Sequence, residues 1–203
     1  MTKARDLPLY MTAAEVESVM LGTERRRHRR LPVADAGLIC LIMWRAGLRI
    51  AEALALKYEH LDLADDPPTL RVHLGKGNRT RIVPVHAELA EALRVRGTYR
   101  SRQYYRPTNG VIDVGQIVLA GRSTVHRWIK DAAAAAARAG GLDPVKAELI
   151  SAHTFRHSFA RHMLANGVKI NTLQQIMGHK DLASTMIYLE LLPDPEHAMA
   201  EVP

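Results

Sequence analysis

His153 and Arg156 stand three residues apart at the start of the stretch 151–192, SAHTFRHSFARHMLANGVKINTLQQIMGHKDLASTMIYLELL. On a helix this spacing sets an imidazole and a guanidinium on one face, about one turn apart, which suits a phosphate. Asn166-Gly167 reads as a helix stop, and a second apolar pattern (Ile170, Leu173, Ile176, Met177) ends at Gly178-His179. Asp181 begins a third short helix that carries Tyr188. Tight packing of these pieces would gather His153, Arg156, His179 and the Tyr188 phenol around one anion. Taken singly, such residues most often cap helices, snorkel or satisfy core polar groups, so the weight lies on the constellation.

Rival chemistries fail on spacing. His153 and His157 have the i, i+4 separation of a zinc metalloprotease helix, but Thr154 occupies the place where that motif needs its Glu base. No Cys is near and no carboxylate lies among His153, His157 and His162, so no metal is expected. The chain has 28 Lys and Arg against 21 Asp and Glu, a formal charge of +7, which points to a polyanionic partner, nucleic acid first. Cys40 sits in an apolar run, 38–44, and reads as a buried reduced thiol. No apolar run approaches the ~20 residues of a membrane span and no export signal opens the chain, so a cytoplasmic protein with no membrane partner is expected.

The elements that must position these residues follow from the pattern. Residues 1–10 read as a lead-in. Thr12 with Glu15 forms a capping box for a helix with Ala13, Val16, Val19 and Met20 on one face, stopped by Gly22. Arg25, Arg26 and Arg27 open a basic block that is either a solvated loop or a contact along a phosphate backbone. Pro32 opens a core helix running through Trp44, and Gly47 breaks it. Arg49 then starts a new helix, where backbone N–H groups and a guanidinium can converge on one anion, with Glu52 at i+3 able to hold the Arg. From Thr69 the period changes to two: Leu70, Val72 and Leu74, a turn at 75–78, then Ile82, Val83 and Val85 make a β-hairpin. Its Gly-Lys is no Walker loop, because position 70, where that motif needs Gly, is Leu. A short helix is expected over 87–96, an irregular segment over 97–121, and an alanine-rich helix over 125–138 capped by Ser123 or Thr124. Pro144 and a short loop lead back to His153.

The series His153-Thr154-Phe155-Arg156-His157, Gly178-His179 and Tyr188, with Gly47-Leu48-Arg49-Ile50-x-Glu52-x-x-x-Leu56 upstream, resembles the two signatures of the tyrosine recombinase (phage integrase) family. The resemblance implies an α+β, mainly α-helical catalytic domain with a small antiparallel β-sheet or hairpin, the DNA breaking-rejoining enzyme fold. It implies that Arg49 is the first catalytic arginine and Glu52 its buried supporter. It also implies that Lys76, on the hairpin turn, enters the minor groove at the cleavage site. Arg79 and Arg81 are read as phosphate contacts or solvated strand charges.

The implied chemistry uses Tyr188 as nucleophile on a phosphodiester, with Arg49 and Arg156 clamping the non-bridging oxygens. His153 is the candidate proton acceptor, Lys76 the general acid for the leaving 5′-oxygen, and His179 a hydrogen-bond partner of the scissile phosphate. The 3′-phosphotyrosyl link would store the energy of the broken bond, so no cofactor, nucleotide or metal is needed. The alternatives are a type IB topoisomerase, or a non-cleaving DNA-binding regulator descended from a recombinase. The resemblance spans residues 11–192 as a catalytic domain, with 193–203 a tail that either docks on a neighbour or frays. Typical members add an N-terminal helical DNA-binding domain, for which these 203 residues leave no room, so a short recombinase and a fragment are both open. Assembly as a homo-tetramer on DNA is implied.

Overall fold

The computed structural model describes residues 7–24, 34–74, 79–103 and 115–192. Helices α1 (Ala13–Glu24), α2 (Ala34–Ala46) and α3 (Ile50–Leu54) come first. A small sheet follows, made of β1 (Leu61–Asp62), β2 (Thr69–Leu74) and β3 (Arg79–Pro84). The chain continues through α4 (Ala87–Gln103), α5 (Arg122–Arg138), α6 (Pro144–Leu149), α7 (Ala152–Ala165), α8 (Ile170–Met177) and α9 (Ala183–Met186). The architecture is therefore α+β and mainly helical, with an antiparallel sheet in the order β1-β2-β3.

Helix α2 lies at the centre because it is apolar on almost every turn: Ile39, Cys40, Ile42, Met43 and Ala46 are fully buried. It packs on α1, α5 and α7. The Cys40 thiol is pushed up to about 12 by burial alone, so it is an inert core group. Helix α5 buries Val125, Trp128, Ile129, Ala132, Ala133 and Ala136, a three-and-four spacing that turns its alanine run inward. At the N-terminus, the Thr12 N–H donates to Glu15 Oε2 at 2.7 Å and the Glu15 N–H to Thr12 Oγ1 at 3.3 Å, the reciprocal capping pair expected. Among the described residues, no helix is long and apolar enough to cross a membrane.

Four element bounds and caps depart from the sequence expectations. Helix α1 runs through Gly22 to Glu24. A Cβ on Gly22 would lie 2.5 Å from the Ala132 carbonyl, so this glycine sets the approach of α1 to α5 and does not end the helix. Helix α4 continues past Arg96 to Gln103, into a segment expected to be irregular. Arg96 forms a buried ion pair with Asp35 that ties α4 to α2. The cap of α5 is the backbone of Gly121, upstream of Ser123 and Thr124. Finally, α6 replaces the expected loop: Pro144 opens it and Asp143 Oδ1 accepts the Lys146 N–H at 2.8 Å.

Candidate active site

Glu52 is the hub. It sits three residues into α3 behind Arg49, and its carboxylate reaches back to accept the Arg49 N–H at 2.8 Å and Arg49 Nη1 at 3.0 Å. Arg81 of β3 meets the same carboxylate with a bidentate pair, Nη1 to Oε1 at 3.0 Å and Nη2 to Oε2 at 2.8 Å. These four bonds fill the acceptor sites of a carboxylate. Arg156 Nη1 stands 3.7 Å away from it, so three guanidiniums share one largely buried negative charge. Burial by itself raises the Glu52 pKa; hydrogen bonds from Arg81 and the Arg49 backbone, and the charges of Arg81 and Arg156, outweigh it and hold the group below its ordinary value.

Arg156 projects from α7 into the core, 4% exposed. Its Nη1 donates to the Gly47 carbonyl at 2.6 Å and its Nη2 to the Met177 carbonyl at 2.7 Å. Gly47 is required for the first bond. Its φ is +63°, and a Cβ there would fall 2.4 Å from the Phe159 ring. The second bond uses the free carbonyl at the end of α8, where Gly178 closes the helix in the left-handed region. Arg156 Nη2 also lies 3.1 Å from His179 Nε2. A guanidinium can only donate, so Nε2 accepts, and His179 is neutral with its proton on Nδ1, which donates to Thr185 Oγ1 at 2.8 Å. Burial first, then the charges of Arg156 and Arg49, brings the His179 pKa down to about 4, in keeping with that tautomer. The same order of causes, burial and then Arg49, lowers Arg156 to about 10, which leaves it charged at neutral pH.

Tyr188 is not on the third short helix as expected: α9 ends at Met186, and Tyr188 caps the 3₁₀ turn Leu189–Leu191 that follows, 2% exposed. Its ring stacks on His179 at 6.3 Å between centroids and 15° between planes. The segment after it is held on α7 by Arg161, whose Nε donates to the Leu191 carbonyl at 3.0 Å. Burial raises the phenol pKa above its ordinary value, and the charges of Arg156 and Arg49 offset this only in part. The hydroxyl lies 2.9 Å from His157 Nδ1. His157 in turn is lowered to about 4 by burial, with His153 and Arg156 adding to the effect.

Arg49, Glu52, Arg156, His179 and Tyr188 are thus brought together, while the phenol meets His157 and not the acceptor expected from sequence, His153. The His153 ring is exposed and lies one ring further out, 6.4 Å from that of His157. Arg81 also departs from expectation. Its side chain is 8% exposed and its guanidinium is engaged by Glu52 and by the Ile176 carbonyl at 2.7 Å, so it binds the hairpin to the site and is not an open phosphate contact. The strand period held the signal: Arg81 shares a face with Val83, which is buried, whereas Ile82 between them is 64% exposed. His157 was visible only as the last residue of the 153–157 motif, and nothing in the spacing alone joins it to Tyr188. Lys76, Arg25, Arg26, Arg27, the Arg79 side chain and the tail 193–203 lie outside the described residues.

The arrangement offers an outward guanidinium (Arg49, 41% exposed side chain), a buried one and a phenol around a single position, which fits a phosphodiester. The family model described as "Phage integrase family" matches residues 10–194. A tyrosine recombinase of Thermosipho africanus is 30% identical over 92% of this chain and 59% of its own length. A resolvase of Escherichia coli K12 is 32% identical over 92% of this chain and 72% of the relative. The crystal structure of the XerH site-specific recombinase bound to its palindromic difH substrate, a post-cleavage complex, superposes with a TM-score of 0.76 over all of this chain and 55% of that one; at 20% identity this carries the fold. The chain spans about three-fifths of the Thermosipho relative. From the match over 10–194 and the resolvase relation, the chain belongs to the phage integrase family of tyrosine recombinases.

Proposed function

We propose that the chain is the strand-breaking part of a site-specific DNA recombinase that cleaves and rejoins double-stranded DNA through a 3′-phosphotyrosyl intermediate. The observation that carries this reading is the clustering of Arg49, Arg156, His179 and Tyr188, which lie far apart in the chain, through shared contacts with Glu52 and one another. Tyr188 attacks the scissile phosphorus. Arg49 and Arg156 take the charge that builds on the non-bridging oxygens, where preorganised donors act most strongly in the transition state. Glu52 and Arg81 keep both arginines in register. His153, on the exposed side of α7, and His179 face the phosphate and its flanks, and Lys76 protonates the leaving 5′-oxygen. Arg25, Arg26, Arg27 and Arg79 contact the DNA backbone, in keeping with a net charge of +7. The working form is a homo-tetramer on DNA in the cytoplasm.

The test is covalent capture. The protein is mixed with genomic fragments from its source in EDTA, denatured, and DNA attached to protein is recovered and sequenced. An adduct formed by the wild type and absent with Tyr188→Phe is the expected result, and the sequences would name the target. DNA binding with no adduct would refute strand breakage by this chain and favour a regulator.

A further inference from the structure

Resting on the recombinase reading, we propose that His157 is a catalytic residue, the group that holds the Tyr188 hydroxyl and takes its proton as the phenol attacks. Three observations point to it. His157 Nδ1 is within hydrogen-bond distance of the phenol oxygen, at 2.9 Å. The two rings are 5.7 Å apart and tilted by 45°, so they meet without stacking face to face. Both groups are anchored: His157 adjoins Arg156 on α7, the helix whose Arg161 also holds the segment after Tyr188 through the Leu191 carbonyl. The other imidazole in contact with the phenol ring, His179, is committed through both nitrogens to Arg156 and Thr185.

The direction of the bond follows from the chemistry of the pair. A buried phenol near cations is a strong donor and a weak acceptor, since its lone pair is delocalised into the ring. A neutral imidazole offers one lone pair. The phenol therefore donates to Nδ1, and His157 carries its own proton on Nε2. Burial and the positive field keep His157 neutral without DNA, so it is ready to accept. Arrival of the scissile phosphate adds negative charge to the pocket and raises the basicity of the imidazole at the moment of attack. The step balances. The phenol O–H bond breaks and its proton moves to His157 Nδ1. The oxygen pair forms the O–P bond, and the P–O5′ bond breaks with its electrons on O5′, which takes a proton from the general acid of the proposed reaction. On religation the imidazolium returns the proton to the departing phenolate.

Two measurements on the full chain test this. The first uses no DNA: nitrogen-15 NMR of the imidazoles in wild type and Tyr188→Phe. The Nε2–H tautomer at His157, with an Nδ1 shift that changes when the hydroxyl is removed, is expected; an Nδ1–H tautomer would overturn the proposal. The second is the capture assay with His157→Asn, whose Oδ1 can take the place of Nδ1 and accept the phenol hydrogen bond but cannot carry a proton at neutral pH. Adduct formation should slow by roughly 10²–10⁴-fold, the range of general-base contributions, with circular dichroism unchanged. Cleavage by His157→Asn at the wild-type rate would overturn the role of His157 while leaving the recombinase reading intact. Failure of the wild type to cleave would overturn both, so the two outcomes are distinguishable.

Discussion

Replacing Glu52 by Gln removes one charge and almost no volume, and the structure sets how much that should cost. The carboxylate accepts four hydrogen bonds, from Arg81 Nη1 and Nη2, Arg49 Nη1 and the Arg49 N–H. A Gln amide must turn its NH2 toward one pair of these donors, so two good bonds become donor–donor contacts. Arg81 and Arg156, 8% and 4% exposed, then face each other with no counter-charge. Removing one partner of a buried ion pair costs about 3–5 kcal/mol. Arg49 is 41% exposed and contributes little to this loss, which argues for the lower end of that range. A loss of about 3 kcal/mol should lower Tm by roughly 6–12 °C in a domain of this size.

The assay is urea unfolding followed by circular dichroism, across pH. In the folded chain the Glu52 pKa lies below its ordinary value of 4.5. A depressed carboxylate contributes stability that is fully present above the ordinary value and is lost as pH falls through the folded one. The gap between wild type and Glu52→Gln should therefore be constant above the ordinary value of 4.5 and close as pH falls through the lower folded-state value, where the wild-type carboxylate takes up its proton. A loss at pH 7 under about 1 kcal/mol, or a gap that does not close in acid, would refute the hub role derived for Glu52.

Two further changes probe the same frame. Gly47→Ala forces a side chain into the left-handed region against Phe159 and should cost about 2–4 kcal/mol, measured by urea unfolding; a near-neutral result would mean that the turn relaxes without disturbing the carbonyl that Arg156 uses. Thr185→Val keeps the shape of a fully buried side chain but removes the acceptor for His179 Nδ1–H, so a loss of about 1–3 kcal/mol is expected. Nitrogen-15 NMR of His179 should then show the Nδ1–H resonance shifted by loss of its acceptor while Nε2 stays the acceptor for Arg156, and an unchanged Nδ1 shift would count against the bond to Thr185.

What the sequence by itself determined is the local frame that carries most of the candidate residues. Residue type and spacing were enough for Arg49 with Glu52 three residues on, for Arg156 one turn after His153, and for the helix ends at Gly167 and Gly178, because helix periodicity, capping and left-handed glycines act within a few residues. The hairpin was legible for the same reason, from a period of two on either side of a Gly-rich turn. The extent of α4 and the existence of α6 were less so, since a helix end depends on what the segment packs against as well as on its own residues.

Only the tertiary structure decided which partner each charged group meets. Arg81 and Glu52 are 29 residues apart, and Arg81 reads as one more strand cation until β3 is laid against α3 and the end of α8. The pairing of Tyr188 with His157, 31 residues apart, depends on how the segment after α9 is seated on α7. Gly22 shows the same limit: read locally it ends a helix, and only the approach of Ala132 shows that it lets two helices touch. Such contacts are fixed by the packing of whole elements, a property of the folded chain that short-range spacing does not encode.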